Sequence, residues 1–500
     1  MAKYVVLVLF LVLKFFTLDN CFFWDNVAGY SMPASYLLEH GLFSFVYPVN
    51  YVSEPPLAHM YLAVLWTLLG KNLLVAHLSV TLFSVGVIWQ VWRLCEKLNT
   101  KYTPYIFLLA VLEPTLSTQL ILISPDVILC FFALLSINLL LENKRGWLAV
   151  SACCLGLVSI RGFVVCAGLG LGCLVIAKVI EKKSFKEAFV YVFPSFIPVL
   201  LALGAWFLYR KLETGYFLYQ PGFEYQEHRE LASLSHIIKN IASLAIRMLD
   251  SGRIIVWLFL LVAIIKMYQK SVLENAEYAD KAQSNADNID FNKKVCVTLR
   301  ILRRLRSVIA ILVCSRLGII YLSVLFTMSL VTIPVTNPFG DRYFIVLYIL
   351  LALITAQLLS KVYEARKIRI VFVGMLLVLV SGNFWVYSEK MSKAWDSVLC
   401  HLPCYSLRQE MITYLEDQHI DVNDVSASFP LNAPFADLDI NEDKRQFTPV
   451  DWDKSRYIIY SNLYNWDDES INAIHSKWKL QKELKSGLIF LRLYVPLDEK

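Results

Sequence analysis

The chain has 500 residues, of which 57% are hydrophobic and 18% are charged, and its formal net charge is +6. Soluble domains are about half apolar at most, so this composition and a mean hydropathy of +0.54 exclude a chain built from soluble domains alone. Repeated long apolar runs, the last ending near Tyr387, indicate a protein that crosses a membrane many times. We therefore predict a polytopic α-helical membrane domain over 1–387, with about eleven transmembrane helices, and a small soluble α/β domain over 388–500.

The first apolar run, "YVVLVLFLVLKFF", lies near the start of the chain and has the look of a signal peptide. It lacks a small-x-small cleavage site, and Lys14 interrupts its apolar core. We therefore predict an uncleaved first span over 4–18.

Asp25 follows this span in a segment that has no Lys or Arg between Phe15 and Gly70. No local salt bridge therefore explains a carboxylate at this position. One alternative is that Asp25 caps a helix beginning near Asn26. We expect the rings of three preceding aromatic residues to anchor the segment at the membrane interface: Phe22, Phe23 and Trp24.

Ten further spans are predicted from apolar runs: 72–92, 103–122, 127–141, 147–160, 163–180, 188–209, 254–270, 308–333, 343–360 and 368–387. The run 57–70 has fourteen residues after Pro55-Pro56, fewer than the roughly 20 that cross a bilayer. We predict that it forms a helix beside the membrane and does not cross.

Lys and Arg concentrate in one alternate set of the connecting loops: 93–101, 142–146, 178–186, 266–307 and 361–369. The positive-inside rule makes this set cytoplasmic. The loops 19–71 and 210–253 and the domain 388–500 are then extracytoplasmic, although 210–253 carries several basic residues. We expect a cytoplasmic linker with a basic end over 271–307, and an amphipathic helix on the outer membrane surface over 231–249.

The C-terminal segment differs in kind from the rest of the chain. Helical patterns in "SLRQEMITYLEDQ" and "DESINAIHSKWKL" alternate with strand-like runs in "RYIIYSNLY" and "GLIFLRLYV". Cys400 and Cys404 are the only close cysteine pair in this soluble stretch, and an extracytoplasmic location would allow a disulfide between them.

Ionisable residues in the membrane domain gather at the predicted outer face: Asp25, Glu54, Asp126, Arg161 and the run Asp341-Arg342-Tyr343. Charges near apolar spans are costly and usually face a cavity or a partner. The structural alternative is that Asp126 and Asp341 cap helices and that Arg342 extends towards water. The collection of both signs on one side favours a site that holds a phosphate with arginines and takes a proton with a carboxylate.

The order of these features resembles the GT-C superfamily of integral-membrane glycosyltransferases. It is most similar to the branch that holds the protein O-mannosyltransferases and the aminoarabinose transferase of lipid A. The matching residues follow a first span: Asp25, Tyr30, Ala34, Gly41, Glu54-Pro55, "YLAVLWTLLG", Asp126 and "GDRYFIVLYILLAL". Two departures are Asn26, where the family often has Glu, and Pro55, where the aminoarabinose transferase has Lys.

The resemblance implies an inverting transfer from a polyprenyl-phosphate-linked sugar to a hydroxyl of a lipid, glycan or protein acceptor. It implies Asp25 as the general base, with Glu54 and Asp126 positioning the acceptor or Asp25. Substrate-binding residues would be Tyr30, Arg161, Arg342 and Tyr343, with the arginines on the donor phosphate. No cofactor is implied, although the three acids could together hold a divalent cation, and no nucleic acid partner is expected.

Two other classes compete with this interpretation. A transporter or flippase would line a pathway with the same charges, and a polymerase or ligase of lipid-linked surface polysaccharide would use a similar site. Transporters place such charges near the middle of the membrane, whereas here they lie at one face. The compact loops and the lack of an endoplasmic reticulum retrieval signal favour the inner membrane of a bacterium.

Overall fold

The computed structural model describes residues 1–49, 51, 54–98, 100–217, 230–283, 315–336, 340–391 and 393–497, with the backbone alone over 271–283. Most of the described chain up to Ser381 is helical. Its α-helices are α1 (Ala2–Phe15), α2 (Met32–His40), α3 (Leu57–Leu69), α4 (Leu73–Lys97), α5 (Thr103–Val111), α6 (Pro114–Ile121), α7 (Pro125–Leu141), α8 (Arg145–Val158), α9 (Ile160–Val179), α10 (Phe185–Val192), α11 (Ile197–Thr214), α12 (Leu234–Leu249), α13 (Ile254–Gln283), α14 (Arg316–Thr332), α15 (Ile345–Val362) and α16 (Ala365–Ser381).

Four helices of the described chain are long and apolar enough to cross a membrane, and up to seven if each of three bent pairs counts as one span. The bent pairs are α5 with α6 (67°), the helix Phe185–Ser195 with α11 (58°), and α12 with the start of α13 (84°). Every predicted span overlaps a helix or a bent pair of the described residues. The predicted fold class is confirmed, whereas the number of crossings stays a prediction.

Helix α8 runs in the opposite direction to its neighbours α7 and α9, and the three helices define two ends of the bundle. Three residues join α7 to α8, and Ser159 alone joins α8 to α9. The first turns of α7 and α9 therefore lie together at one end, which we call the upper end. The last turn of α7, the first turn of α8 and the last turn of α9 lie at the opposite, basal end.

Lys14 has a structural explanation inside its apolar helix. Its side chain is buried, and Nζ donates a hydrogen bond to the carbonyl of Ile121 at 2.5 Å. Ile121 is the last residue of α6, where carbonyl groups lack partners within the helix and carry partial negative charge. Lys14 therefore caps α6 and ties α1 to it.

Both ends of α3 lie near the upper end. Glu54, just before α3, accepts a hydrogen bond from the Ile160 amide at the start of α9 (2.8 Å). After α3, the side chain of His77 in the first turns of α4 contacts the Asn20 carbonyl beyond the end of α1 (2.9 Å). Because both ends of α3 lie at the upper end, this helix does not run from the upper end of the bundle to the basal end.

The predicted amphipathic helix appears as α12, whose apolar side chains Leu234, Ile238, Ile241 and Ile246 are exposed. The predicted linker 271–307 is partly helical, because α13 continues through it to Gln283. The basic end of that linker lies outside the described residues.

The C-terminal domain forms a four-stranded sheet in the order β1 (Val425–Ser426), β2 (Tyr457–Ser461), β4 (Ile489–Pro496) and β3 (Trp478–Ser486). β1 and β2 are parallel, and β4 is antiparallel to both of its neighbours. Three helices accompany the sheet, α17 (Pro403–Asp417), α18 (Phe435–Leu438) and α19 (Asp468–Lys477). The predicted helix "DESINAIHSKWKL" ends at Lys477, and its last residues begin β3. Cys400 and Cys404 are buried, and both thiols are free.

Candidate active site

Asp25 is presented by a strained turn at the upper end of the bundle. The preceding Trp24 has φ of 59°, a left-handed conformation that bulky residues seldom adopt. A π-helical turn, Val27–Ser31, follows directly, and the Asp25 carbonyl accepts from the Gly29 amide at 2.7 Å. Such conformations persist only where the surrounding structure holds them, and they cluster at functional sites.

The surroundings that hold this turn belong to the C-terminal domain. The Phe23 ring stacks on His401 at 4.6 Å, and the Trp24 ring meets Phe429 edge-on at 5.0 Å. The Phe22 amide donates to the Leu438 carbonyl at 3.0 Å. The expectation that these three rings anchor the segment at the membrane interface is therefore wrong, because all three are buried against protein.

Arg342 is the centre of the candidate site. Its guanidinium pairs with the carboxylate of Asp25, with Asp126 (Nε to Oδ2, 3.3 Å) and with Asp396 (Nη1 to Oδ2, 2.9 Å). It lies in a short 3₁₀ turn, Asp341–Phe344, directly before α15, and it is buried. The expected alternative, an arginine extending to water, is wrong for this residue.

Arg161 joins the same cluster from the first turn of α9. Its Nη1 pairs with Asp126 Oδ1 at 2.7 Å, so Asp126 connects the two arginines. The guanidinium also lies 4.2 Å from the centre of the Tyr343 ring. Glu54 lies beside Arg161 in space, because its carboxylate accepts from the amide of the preceding residue, Ile160.

The carboxylates do not act as the helix caps that were the structural alternative. Ser124 caps α7, and its hydroxyl accepts from the Asp126 amide at 3.2 Å. No side chain caps the turn Val27–Ser31, whose N-cap residue is Asn26. The Asp341 carboxylate does not cap a helix either, because its ion-pair and hydrogen-bond partners are side chains.

A second buried network fixes the other side of the Asp341–Phe344 turn. The Asp341 carboxylate pairs with Arg247 (3.0 Å) and Arg253 (2.9 Å), and Arg253 pairs in turn with Glu113 (2.7 Å). The Tyr348 hydroxyl donates to Asp341 at 3.3 Å. Adjacent residues of one turn are thus held by ion pairs on both sides, so Arg342 has little freedom to move.

Asp396 is the site residue that sequence reasoning missed. It lies in the C-terminal segment, and its backbone carbonyl accepts from Gln119 of α6 at 2.8 Å. Burial raises the pKa of Asp396 to about 6, against the lowering influence of Arg342. An Asp in a soluble domain is ordinary in sequence, so no signal distinguished it. Glu113 was also missed, although a charge inside the apolar run 103–122 was a usable signal.

The cluster has one accessible carboxylate. The Asp25 side chain is 49% exposed, whereas those of Asp126, Asp396 and Arg342 are 5% exposed or less. A molecule that approaches from the upper end can therefore reach Asp25, and it can reach Arg161, which is 27% exposed and belongs to the same cluster. The geometry offers an accessible carboxylate and an accessible cation, each held by an ion pair to a buried partner.

Tyr30, which the resemblance implies as a substrate-binding residue, lies in the interior of the protein. The Tyr30 ring is fully buried and packs near Phe22 (6.1 Å) and His59 (6.4 Å).

Within the described residues, no group of three or more His, Cys, Asp or Glu side chains is arranged to hold a metal ion. The Arg342 guanidinium supplies positive charge between the carboxylates of Asp25, Asp126 and Asp396.

The fold and this site define a polytopic membrane protein with a buried ion-pair cluster at one end of its helical bundle, completed by its C-terminal domain. The chain is similar to two solved structures of ArnT from Cupriavidus metallidurans. The apo structure matches with 12% identity and a TM-score of 0.48, over 99% of this chain and 98% of that one.

The structure of ArnT bound to undecaprenyl phosphate matches with the same identity and TM-score, over 98% of this chain and 97% of that one. No protein-family model and no curated protein matches the chain. The roles of the site residues are therefore argued from the contacts within this chain.

Proposed function

We propose that the chain is an inverting glycosyltransferase that moves a sugar from a polyprenyl-phosphate carrier to an acceptor hydroxyl, with Asp25 as the general base. The observation that carries this proposal is the unequal exposure within the cluster. Asp25 alone among its three carboxylates is open to an incoming molecule, and it is held by Arg342. A general base needs both access to its proton and a fixed orientation.

The proposed reaction is a single displacement at the anomeric carbon of the donor sugar. The acceptor oxygen attacks the anomeric carbon while Asp25 takes the proton of the attacking hydroxyl. The bond from the anomeric carbon to the phosphate oxygen breaks on the opposite face of the sugar, and polyprenyl phosphate leaves with the electron pair. The new glycosidic bond therefore has inverted configuration.

Arg161 is the proposed contact of the leaving phosphate, because it is partly exposed and joins the cluster of Asp25 through Asp126. A cation placed where negative charge develops lowers the barrier of the reaction. Arg342 and Asp126 have the proposed role of orienting Asp25, since Arg342 bridges the two carboxylates. Glu54 fixes the first turn of α9, which carries Arg161. A phosphate contact by Arg342 itself stays a prediction.

The upper end of the bundle is proposed to face the extracytoplasmic side, as the distribution of Lys and Arg predicts. The C-terminal domain, which contributes Asp396, then lies on that side too. The acceptor classes that the resemblance implies are lipid A, another glycan or a protein hydroxyl, and the host membrane is a bacterial inner membrane.

The deciding experiment compares Asp25→Asn with a matched control, Asp19→Asn, in single-turnover sugar transfer with saturating donor. Asp19 is an exposed carboxylate of the same segment with no place in the cluster. Asparagine keeps the shape of the side chain but cannot take a proton. Asp25→Asn should therefore lose about 10²–10⁴-fold in transfer rate, while Asp19→Asn stays within a few-fold of wild type.

A donor-binding measurement on the same proteins separates chemistry from folding. Asp25→Asn should still bind the polyprenyl-phosphate sugar, because its side chain is not the proposed phosphate contact. Transfer by Asp25→Asn within a few-fold of wild type would overturn the assignment of the base and move the search to Glu54 or Asp126.

Transport of a lipid-linked sugar is the second candidate function, and the three bent helix pairs favour it, since transporters bind substrates at broken helices. The two functions differ in what they consume. Purified protein that converts a polyprenyl-phosphate sugar to product without any gradient is a transferase. Protein that moves the lipid across a bilayer and leaves the sugar bond intact is a flippase.

A further inference from the structure

A cavity of about 310 Å³ lies at the basal end of the bundle, at the opposite end of α7, α8 and α9 from Asp25. Its inner wall is apolar and comes from successive helices: Leu140, Leu148, Ile176, Val192 and Phe196. Its rim carries three basic residues and one carboxylate: Lys144, Arg145, Arg316 and Glu181. The cavity thus combines an apolar inner wall with positively charged groups on its rim.

The basic groups of the rim retain capacity to bind an anion. Lys144 pairs with Glu142 at 2.9 Å and is 56% exposed, and Arg316 pairs with Glu181 at 3.6 Å and is 45% exposed. An ammonium has three donors and a guanidinium has five, so one carboxylate does not satisfy either group. Arg145 differs, because it is engaged with the carbonyl and ring of Tyr191.

Exposed aromatic side chains next to the cavity mark the depth of the membrane surface. Trp147 at the start of α8 and Phe185 at the start of α10 are each about 70% exposed. Phe189 and Phe193 are also exposed, and their rings stack at 4.8 Å. Aromatic rings prefer the membrane–water interface, and α10 bends away from α11 as an interfacial helix does. The rim of the cavity therefore lies where lipid headgroups lie.

We propose that this cavity binds an anionic phospholipid, with its phosphate at Lys144 and Arg316 and an acyl chain along the apolar wall. A soluble phosphate compound would use the rim but leave the apolar wall unfilled. A zwitterionic lipid would fill the wall but add a positive group beside the basic rim. Basic pockets between membrane helices are suited to anionic headgroups for these reasons.

The test measures retained lipid by native mass spectrometry on the full chain, after equilibration with micelles that contain phosphatidylglycerol or phosphatidylcholine. The variant is Lys144→Gln with Arg316→Gln. The matched control is Lys367→Gln with Lys361→Gln, which removes two charges at the same end of the bundle, outside the cavity lining. Each basic residue near an anionic headgroup contributes about fivefold in affinity, so the rim variant should bind phosphatidylglycerol about 25-fold more weakly.

The control variant should bind phosphatidylglycerol within about twofold of wild type, and no variant should change the retention of phosphatidylcholine. An equal loss in rim and control variants would overturn the proposal, because attraction to the basic surface in general would explain it. Displacement of the lipid by an equal concentration of inorganic phosphate or glycerol phosphate would also overturn it, in favour of a site for soluble phosphate. Wild-type protein alone suffices for this second arm, so poor folding of a variant does not prevent the test.

Discussion

Arg161 and Arg342 share the carboxylate of Asp126 but differ in exposure, and this difference predicts different consequences of their removal. Arg161→Ala should weaken donor binding by about 1.5–3 kcal/mol, which is the value of a charged hydrogen bond. Arg161→Lys should restore it only in part, because the planar fork of donors is lost. The donor dependence of single-turnover transfer measures both, with Lys71→Ala as a control cation at the upper end.

Arg342→Ala should act on stability before it acts on binding. It removes the cation that pairs with Asp25, Asp126 and Asp396 and leaves only Arg161 beside Asp126. Removing one partner of a buried ion pair costs about 3–5 kcal/mol. A lowered midpoint of thermal unfolding in detergent micelles is the expected result. Unchanged stability with weakened donor binding would instead show that Arg342 contacts the phosphate directly.

Asp396 gives the site a predicted pH dependence. Its pKa is raised from 3.8 to about 6 in the folded protein because the carboxyl is buried. The folded state therefore binds more protons than the unfolded state between these values, so the contribution of Asp396 to stability falls as the pH rises through this window. The full change is about 3 kcal/mol.

Thermal unfolding of wild type and Asp396→Asn from pH 4.5 to 7.5 checks this sign. The stability of wild type relative to the variant should be greatest at the acid end and should decline towards pH 7. Asp417→Asn, an exposed carboxylate of the same domain, should show no such trend. A difference that is constant or that grows with pH would contradict the prediction.

The sequence located much of this site because charges are rare at the ends of apolar spans. This rarity predicts four of the site residues, and the structure brings all four together: Asp25, Asp126, Arg161 and Arg342. The partner of Asp25 is 317 residues away, which no local pattern reveals. Asp396 escaped notice because carboxylates are common in soluble domains and carry no such signal.

At the scale of helices, the contact of α9 with α14 depends on a glycine. A Cβ added at Gly168 would lie 2.7 Å from the Cα of Val324 and 2.6 Å from the Thr327 hydroxyl. Backbone atoms of a packed helix can move only at a considerable energetic cost. Gly168→Ala should therefore lower the free energy of unfolding by about 1–3 kcal/mol. Small residues allow such close approach of membrane helices.

Gly374 in α16 is the matched control, because a Cβ added there meets nothing within 4 Å. Gly374→Ala should raise stability by about 0.5–1 kcal/mol, since alanine favours the helix more than glycine does. Thermal unfolding of both variants in the same detergent measures the difference. Equal effects of the two substitutions would show that the α9–α14 contact does not need the glycine.

Hydropathy predicted where the helices lie but not how they bend. The runs 103–122 and 188–209 each appeared as one span, and each contains a bent pair, with angles of 67° and 58°. Proline explains both positions, because Pro114 and Pro198 are the first and second residues of the second helix of their pairs. The sequence did not predict β3, because most of its residues are polar and exposed and they lack the alternation of apolar and polar residues that indicates a strand. An edge strand tolerates such a composition.

At the scale of the whole molecule, charge and shape divide the protein into two ends. The upper end holds the site and the C-terminal domain, while the basal end holds those loops rich in Lys and Arg that the structure describes. The proposed function requires that a lipid-linked donor meet its acceptor at the upper end. The orientation of the chain in the membrane therefore decides which compartment supplies the acceptor.

Single-cysteine labelling tests this orientation with one position at each end. Glu410 is exposed on α17 of the C-terminal domain, and Lys367 is 70% exposed at the start of α16. In a background without other cysteines, a membrane-impermeant maleimide should label Glu410→Cys in intact cells from outside. Lys367→Cys should react only after the membrane is permeabilised, because the basic end is predicted to be cytoplasmic. The reverse pattern would place Asp25 on the cytoplasmic side, and sugar transfer to an extracytoplasmic acceptor would then be excluded.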